Sequence, residues 1–179
     1  DAAIILHVVL TQSFRIEEPP VPVTLVNAAG VNINDYLLAL RQVPEPVLAA
    51  FNAAGWTYRI DFDYMGGLSK KLNMSCIGAT NYSQKTIYLS EASATLHEFG
   101  HFLDWMLGFP AEYEQLFRAE ASAAPLRNYA KTDSREYFAD CFAYWVKYAE
   151  NANAISLLQE CAPMTYRYME DLMRIANRL

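Results

Sequence analysis

Two kinds of apolar spacing divide the chain. Over residues 1–89 short runs alternate or cluster. From Ser90 onward apolar residues recur every three or four positions, as an amphipathic helix requires. "AAIILHVVL" (2–10) reads as a buried strand, and "EEPPVPVTLV" (17–26), with three prolines in five residues, as an extended connector or edge strand. Residues 32–43 and 44–55 have helical spacing, separated by Pro44 and Pro46, with Gly55 suited to a C-terminal cap. "WTYRIDFDY" (56–64) alternates as a strand. "MGGLSKKLNMS" (65–75) reads as a loop hinged at Gly66 and Gly67, and "CIGATNYSQKTIYLS" (76–90) as a hairpin-like strand pair. Ser90 is a plausible cap for a helix that stops at Gly108 and Pro110. Helices follow near 111–121, 134–149 and 153–177, the last broken at Pro163. The pattern predicts an α+β fold in a single domain over 1–179. A lobe of small mixed sheet and helices (1–108) precedes a mainly helical lobe (109–179).

Composition narrows the possible partners. The apolar fraction of 53% suffices for a core, and the net charge of −6 offers nucleic acid no basic patch. No apolar run approaches the ~20 residues that span a membrane. Three cysteines without C-x-x-C spacing form neither a disulfide framework nor a cysteine metal site. Cys141, among Phe138, Phe142 and Trp145, reads as a small buried apolar residue. The chain begins at Asp1 without an initiator Met, which reads as a processed product.

The sharpest chemistry lies in "HEFGH". Four residues turn a helix by ~400°, so His97 and His101 project from one face, a turn apart, as two ligands of one zinc would. Glu98 is rotated by ~100° and can take a proton from a water at such an ion. Only three histidines are present, and two form this motif. The third, His7, lies in "IILHVV" and reads as structural. A catalytic zinc wants a third protein ligand, and residues 102–110 hold no histidine. A carboxylate is therefore expected from Glu112, Glu114, Glu120, Glu136, Asp140 or Glu150.

"SREYFADCFAYWVKY" favours Glu136. This helix is apolar or aromatic almost throughout, yet Glu136 and Asp140 stack one turn apart, and buried carboxylates are costly unless paired or metal-bound. Glu136 as metal ligand, and Asp140 as acceptor of the second ring N–H of His97, would resolve both costs. An acidic pair that is solvated, or bridged to Arg127 or Arg135, is the competing reading. Glu112, Glu114 and Glu120 lie on a more polar helix and read as surface charges. Tyr129 sits seven residues before Glu136, but on local grounds it is one of twelve tyrosines.

The set "HEFGH", "Y-x6-E" and "E-x3-D", with the tail "LLQECAPMTYRYMEDL", resembles the lethal-factor-like zinc peptidases. That clan includes the anthrax lethal factor catalytic domain and the secreted bacterial Pro-Pro endopeptidases. The resemblance implies a zincin-like, gluzincin-type endopeptidase with one Zn2+ per chain on His97, His101 and Glu136. It implies Glu98 as general base and Tyr129 as oxyanion partner. A peptide or protein substrate would then lie along an edge strand in the region 75–81, near Cys76, Ile77 and Gly78, under a gate at 65–74. A secreted bacterial protein acting as a monomer is expected. The chain departs from the Pro-Pro enzymes at Arg135, where they carry an acidic residue, and in lacking a tryptophan in 66–75. Arg135 is accordingly expected to favour an acidic substrate side chain. The alternative function is a non-catalytic protein-binding module on a zincin scaffold.

Overall fold

In the computed structural model, residues 22–176 are described, so the expected strand at 2–10 and His7 lie outside the described residues. Four strands form one sheet among them: β1 (Leu25–Asn27), β2 (Thr57–Ile60), β3 (Gly78–Asn81) and β4 (Thr86–Leu89). The order is β1-β2-β4-β3. β1, β2 and β4 run parallel, and β3 pairs antiparallel with β4, so β3 is an edge. The expected hairpin at 76–90 is present.

Eight α-helices accompany the sheet among the described residues. α1 (Asn34–Leu40), α2 (Glu45–Ala53), α3 (Phe62–Leu72) and α4 (Thr95–Met106) belong to the half that contains the strands. α5 (Ala111–Glu120), α6 (Ser134–Tyr148), α7 (Ala152–Cys161) and α8 (Pro163–Ala176) follow. Gly108, at φ +75, ends α4 as expected, and Pro163 separates α7 from α8.

Aromatic packing sets α4 against the sheet. Phe51 lies 4.9 Å from Phe99 and 5.1 Å from Phe102 between ring centroids, and Trp56 lies 5.2 Å from Phe102. All four are buried, each contributing on the order of 2 kcal/mol by burial. The buried Tyr58 hydroxyl meets Thr95 Oγ1 at 2.7 Å, tying β2 to the first turn of α4. On the other side α4 crosses α6. A Cβ at Gly100 would lie 2.6 Å from Ala139 Cα and 2.8 Å from its carbonyl oxygen, so only glycine permits this approach. The glycine of "HEFGH" thus sets the distance between the two helices that carry the candidate chemistry.

Four sequence expectations are corrected. The strand expected over 56–64 ends at Ile60, and residues 62–72, including most of the expected glycine-hinged loop, form α3. The Asp61 carboxylate caps this helix by accepting the Tyr64 N–H at 2.9 Å, and Met65 is buried. Gly66 and Gly67 cost propensity without breaking the helix, because a sound cap and a buried anchor outweigh them. The gate expected at 65–74 therefore falls mainly on a helix. Ser90 does not cap α4, which is entered through a 3-10 turn (Ala92–Ala94). Instead the Ser90 N–H donates to the Ile77 carbonyl at 2.9 Å, securing the start of β3. Glu120 is not a surface charge. It is buried and accepts the N–H groups of Met164 (2.9 Å) and Thr165 (2.8 Å), capping α8 from a distant part of the chain. Cys141 is fully buried, as expected.

Candidate metal and catalytic site

The crossing of α4 and α6 brings the sequence-predicted residues together. His97 and His101 extend from α4 with rings nearly perpendicular and centroids 4.7 Å apart. Their Nε2 atoms are 3.1 Å apart. Glu136, in the first turn of α6, places Oε2 3.1 Å from His97 Nε2 and 3.5 Å from His101 Nε2. One ligand atom from each of the three residues lies within 4.8 Å of the others. Glu136 Oε2 is buried without a hydrogen-bond partner among the described residues. Two imidazole nitrogens and a carboxylate oxygen aimed at one point are a donor set that fits zinc, and a cation there would satisfy that oxygen.

The electrostatics agree. Burial pushes the Glu136 carboxyl upward, but His101 and His97 more than offset it and hold it well below the usual carboxylate range. Burial pushes His97 down, and Asp140 with Glu136 overcomes this, raising it to about 9. The site strongly favours positive charge beside Glu136.

Asp140 holds the far side of His97. Its Oδ1 lies 2.6 Å from His97 Nδ1, leaving Nε2 turned toward Glu136. Arg127 forks onto the same carboxylate, Nε to Oδ2 at 2.6 Å and a terminal nitrogen to Oδ1 at 2.7 Å. The two competing sequence readings of Asp140 both occur, on different oxygens and lone pairs of one group. Burial favours the neutral acid, yet His97 and Arg127 lower its pKa.

Glu98 is buried against the edge strand. Thr80 donates its hydroxyl to Glu98 Oε2 at 2.7 Å. A Cβ at Gly78 would sit 2.5 Å from Glu98 Oε1 and 2.8 Å from the Ala94 Cβ, so glycine lets β3 close onto that carboxylate. Tyr129 donates to Glu136 Oε1 at 3.3 Å. Burial first, then Glu136, pushes its phenol up to about 12, keeping it a neutral donor.

These groups line an open cleft of about 1070 Å³ together with Cys76, Ile77, Gly78 and Arg135. All ten sequence-predicted site residues therefore meet in one place. Sequence reasoning placed Thr80 within the expected substrate strand without a role, missed Phe109 and Tyr82, and saw Arg127 only as a rival explanation. Thr80 was within reach, because period-2 alternation puts it on the same face of β3 as Gly78.

The family model "Anthrax toxin lethal factor, N- and C-terminal domain" matches residues 58–172, more than half of the chain. Among solved structures, the Pro-Pro endopeptidase PPEP-2 from Paenibacillus alvei is similar at 19% identity and a TM-score of 0.63. The match covers 83% of this chain and 96% of that one. At that identity the likeness speaks for the fold. No curated protein matches.

Proposed function

The chain belongs to the anthrax toxin lethal factor family, and from that premise we propose that it is a zinc-dependent endopeptidase of the gluzincin type. The observation that carries the reading is the convergence of His97, His101 and Glu136 within 4.8 Å, beside a carboxylate packed on a strand that is the sheet's edge among the described residues. His97, His101 and Glu136 hold one Zn2+ per chain. Zinc supplies a Lewis acid for the scissile carbonyl and lowers the pKa of water.

The remaining work falls to the chain's own side chains. Glu98 is the general base: Thr80 occupies Oε2, so Oε1 takes the proton of the attacking water and later delivers it to the leaving amine. Tyr129, a neutral phenol at the rim, donates a hydrogen bond to the developing oxyanion. Asp140, braced by Arg127, fixes the His97 ring and tautomer. The substrate is an extended peptide that adds to β3, the sheet's edge among the described residues, near Cys76, Ile77 and Gly78. Pro-Pro peptides and lethal-factor-type peptides are the first to test. We assign a secreted protein by kinship. Among the described residues no helix is long and apolar enough to cross a membrane.

Two measurements test this reading. Elemental analysis should return one zinc per chain, lost in His101→Ala and Glu136→Ala. A quenched-fluorescence peptide library should be cleaved by the wild type and not by Glu98→Ala. Full zinc loading with no cleavage of any peptide by the wild type would reject catalysis and return the chain to the protein-binding alternative.

A further inference from the structure

Within the cleft, the carboxylates of Glu98, Asp140 and Asp133 all have hydrogen-bond partners. Thr80 donates to Glu98, Arg127 forks onto Asp140, and Asp133 accepts the N–H groups of Arg135 (2.9 Å) and Glu136 (3.0 Å). Arg135 differs. It is exposed, lines the cleft and forms no ion pair among the described residues. Its guanidinium carbon instead lies 4.2 Å from the centre of the Phe109 ring. Tyr82 meets the same ring edge-on, centroids 5.5 Å apart at 89°.

Phe109 has a left-handed backbone, φ +53, immediately after Gly108 at φ +75. A bulky non-glycine residue in that region is strained, and such strain gathers at functional positions. A guanidinium stacked face-on to an aromatic ring keeps its in-plane N–H donors free for a carboxylate fork. The chain carries a net charge of −6, yet Arg135, a cation without an ion pair among the described residues, lies over an aromatic ring beside Glu136.

We propose that Arg135, stacked on Phe109, is a specificity subsite for an acidic side chain of the peptide substrate. This rests on the endopeptidase reading above and adds the class of substrate. Arg135 immediately precedes Glu136, and an extended peptide advances ~3.3 Å per residue. The acidic residue therefore lies within one or two positions of the scissile bond. Asp104, buried on α4 and within electrostatic range of Arg135, and Asp133 are the nearby charges that a substrate carboxylate must outcompete. Neither reaches ion-pair distance.

The test uses zinc-loaded Glu98→Ala, which binds without turnover, and fluorescein-labelled peptides. The peptides carry Asp or Glu, Gln, or Lys at each of the two positions on either side of the central bond. One position should favour Asp or Glu about tenfold over Gln by anisotropy, with Lys weaker still. Adding Arg135→Glu should invert the ranking to favour Lys. Lys147→Glu, also lining the cleft but at the other end of α6, should leave the ranking in place. Phe109→Gly should keep or raise Tm by relieving the positive φ, while reducing the acidic preference. No acidic preference at any position, or one that survives Arg135→Glu, overturns the proposal. Binding is read separately from cleavage, so failure of the wild type to cut peptides would count against the endopeptidase reading without deciding the subsite.

Discussion

Two aspartates, one on each helix of the site, are treated in opposite ways. Asp140 sits on α6 beside His97, buried, with a histidine on one oxygen and a forked arginine across both. Asp104 sits on α4 one turn after His101, more deeply buried, and its side chain has no hydrogen bond or ion pair among the described residues. The first has its pKa lowered despite burial. The second is pushed up to about 6, because burial outweighs the weak pull of His101 and Arg135. Burial alone does not decide what a carboxylate does near a metal site. The number of cations within hydrogen-bond reach decides it. The histidines inherit the difference: His97 Nδ1 is tied, and His101 Nδ1 is buried without a partner among the described residues.

Removing the stronger arrangement should have the largest effect. Asp140→Ala frees the His97 ring and strands the Arg127 guanidinium. Loss of such an orienting carboxylate typically weakens metal affinity about 10–100-fold. Zinc competition with a chromophoric chelator should show it, with Asp140→Asn intermediate. An unchanged affinity would mean that Asp140 serves packing and not the metal site.

Asp104 should respond with the opposite sign. Its folded pKa is raised from 3.8 to about 6, so folding favours the protonated acid. That stabilising contribution is complete below about pH 3.8 and is lost as pH rises through about 6. At neutral pH the ionised group costs the metal-free protein about 1–3 kcal/mol. Asp104→Asn should therefore raise the neutral Tm of the metal-free protein and flatten its stability between pH 4 and 6. It should leave zinc affinity nearly intact. A fall in zinc affinity as large as that of Asp140→Ala would show that Asp104 orients His101 after all, erasing the contrast.

Much of this site was legible in the sequence because its signals are local. A four-residue histidine step on a helix, and two acids one turn apart on an apolar helix, state their geometry through the 3.6-residue period. What stayed hidden depends on tertiary contacts. Glu120 looks solvent-facing from its helix, yet it caps a helix that begins more than forty residues later. Gly66 and Gly67 looked like a hinge because the Asp61 cap and the Met65 anchor act from outside the pair. Gly100 shows only as glycine in a helix until α6 is in place and the Ala139 backbone leaves no room for a Cβ. Arg127 and Asp140, thirteen residues apart, required the loop between them to fold back.

Glu98 is the intermediate case, with one neutral donor where Asp140 has cations and Asp104 has no hydrogen bond or ion pair among the described residues. Thr80 supplies that donor from the edge strand, at 2.7 Å. Thr80→Val keeps the β-branched shape that suits a strand and removes only the hydroxyl. A lost hydrogen bond to a charged group is worth about 1.5 kcal/mol, so kcat should fall roughly tenfold. Zinc content and Tm should hold, because neither the metal residues nor the core is touched. Thr80→Ser retains the hydroxyl and should restore most of the rate. The alternative is that Thr80 matters only for β3 pairing, in which case serine, the poorer strand former, should be as impaired as valine or more so. The order of the two variants therefore decides whether the edge strand merely receives substrate or also holds the base in place.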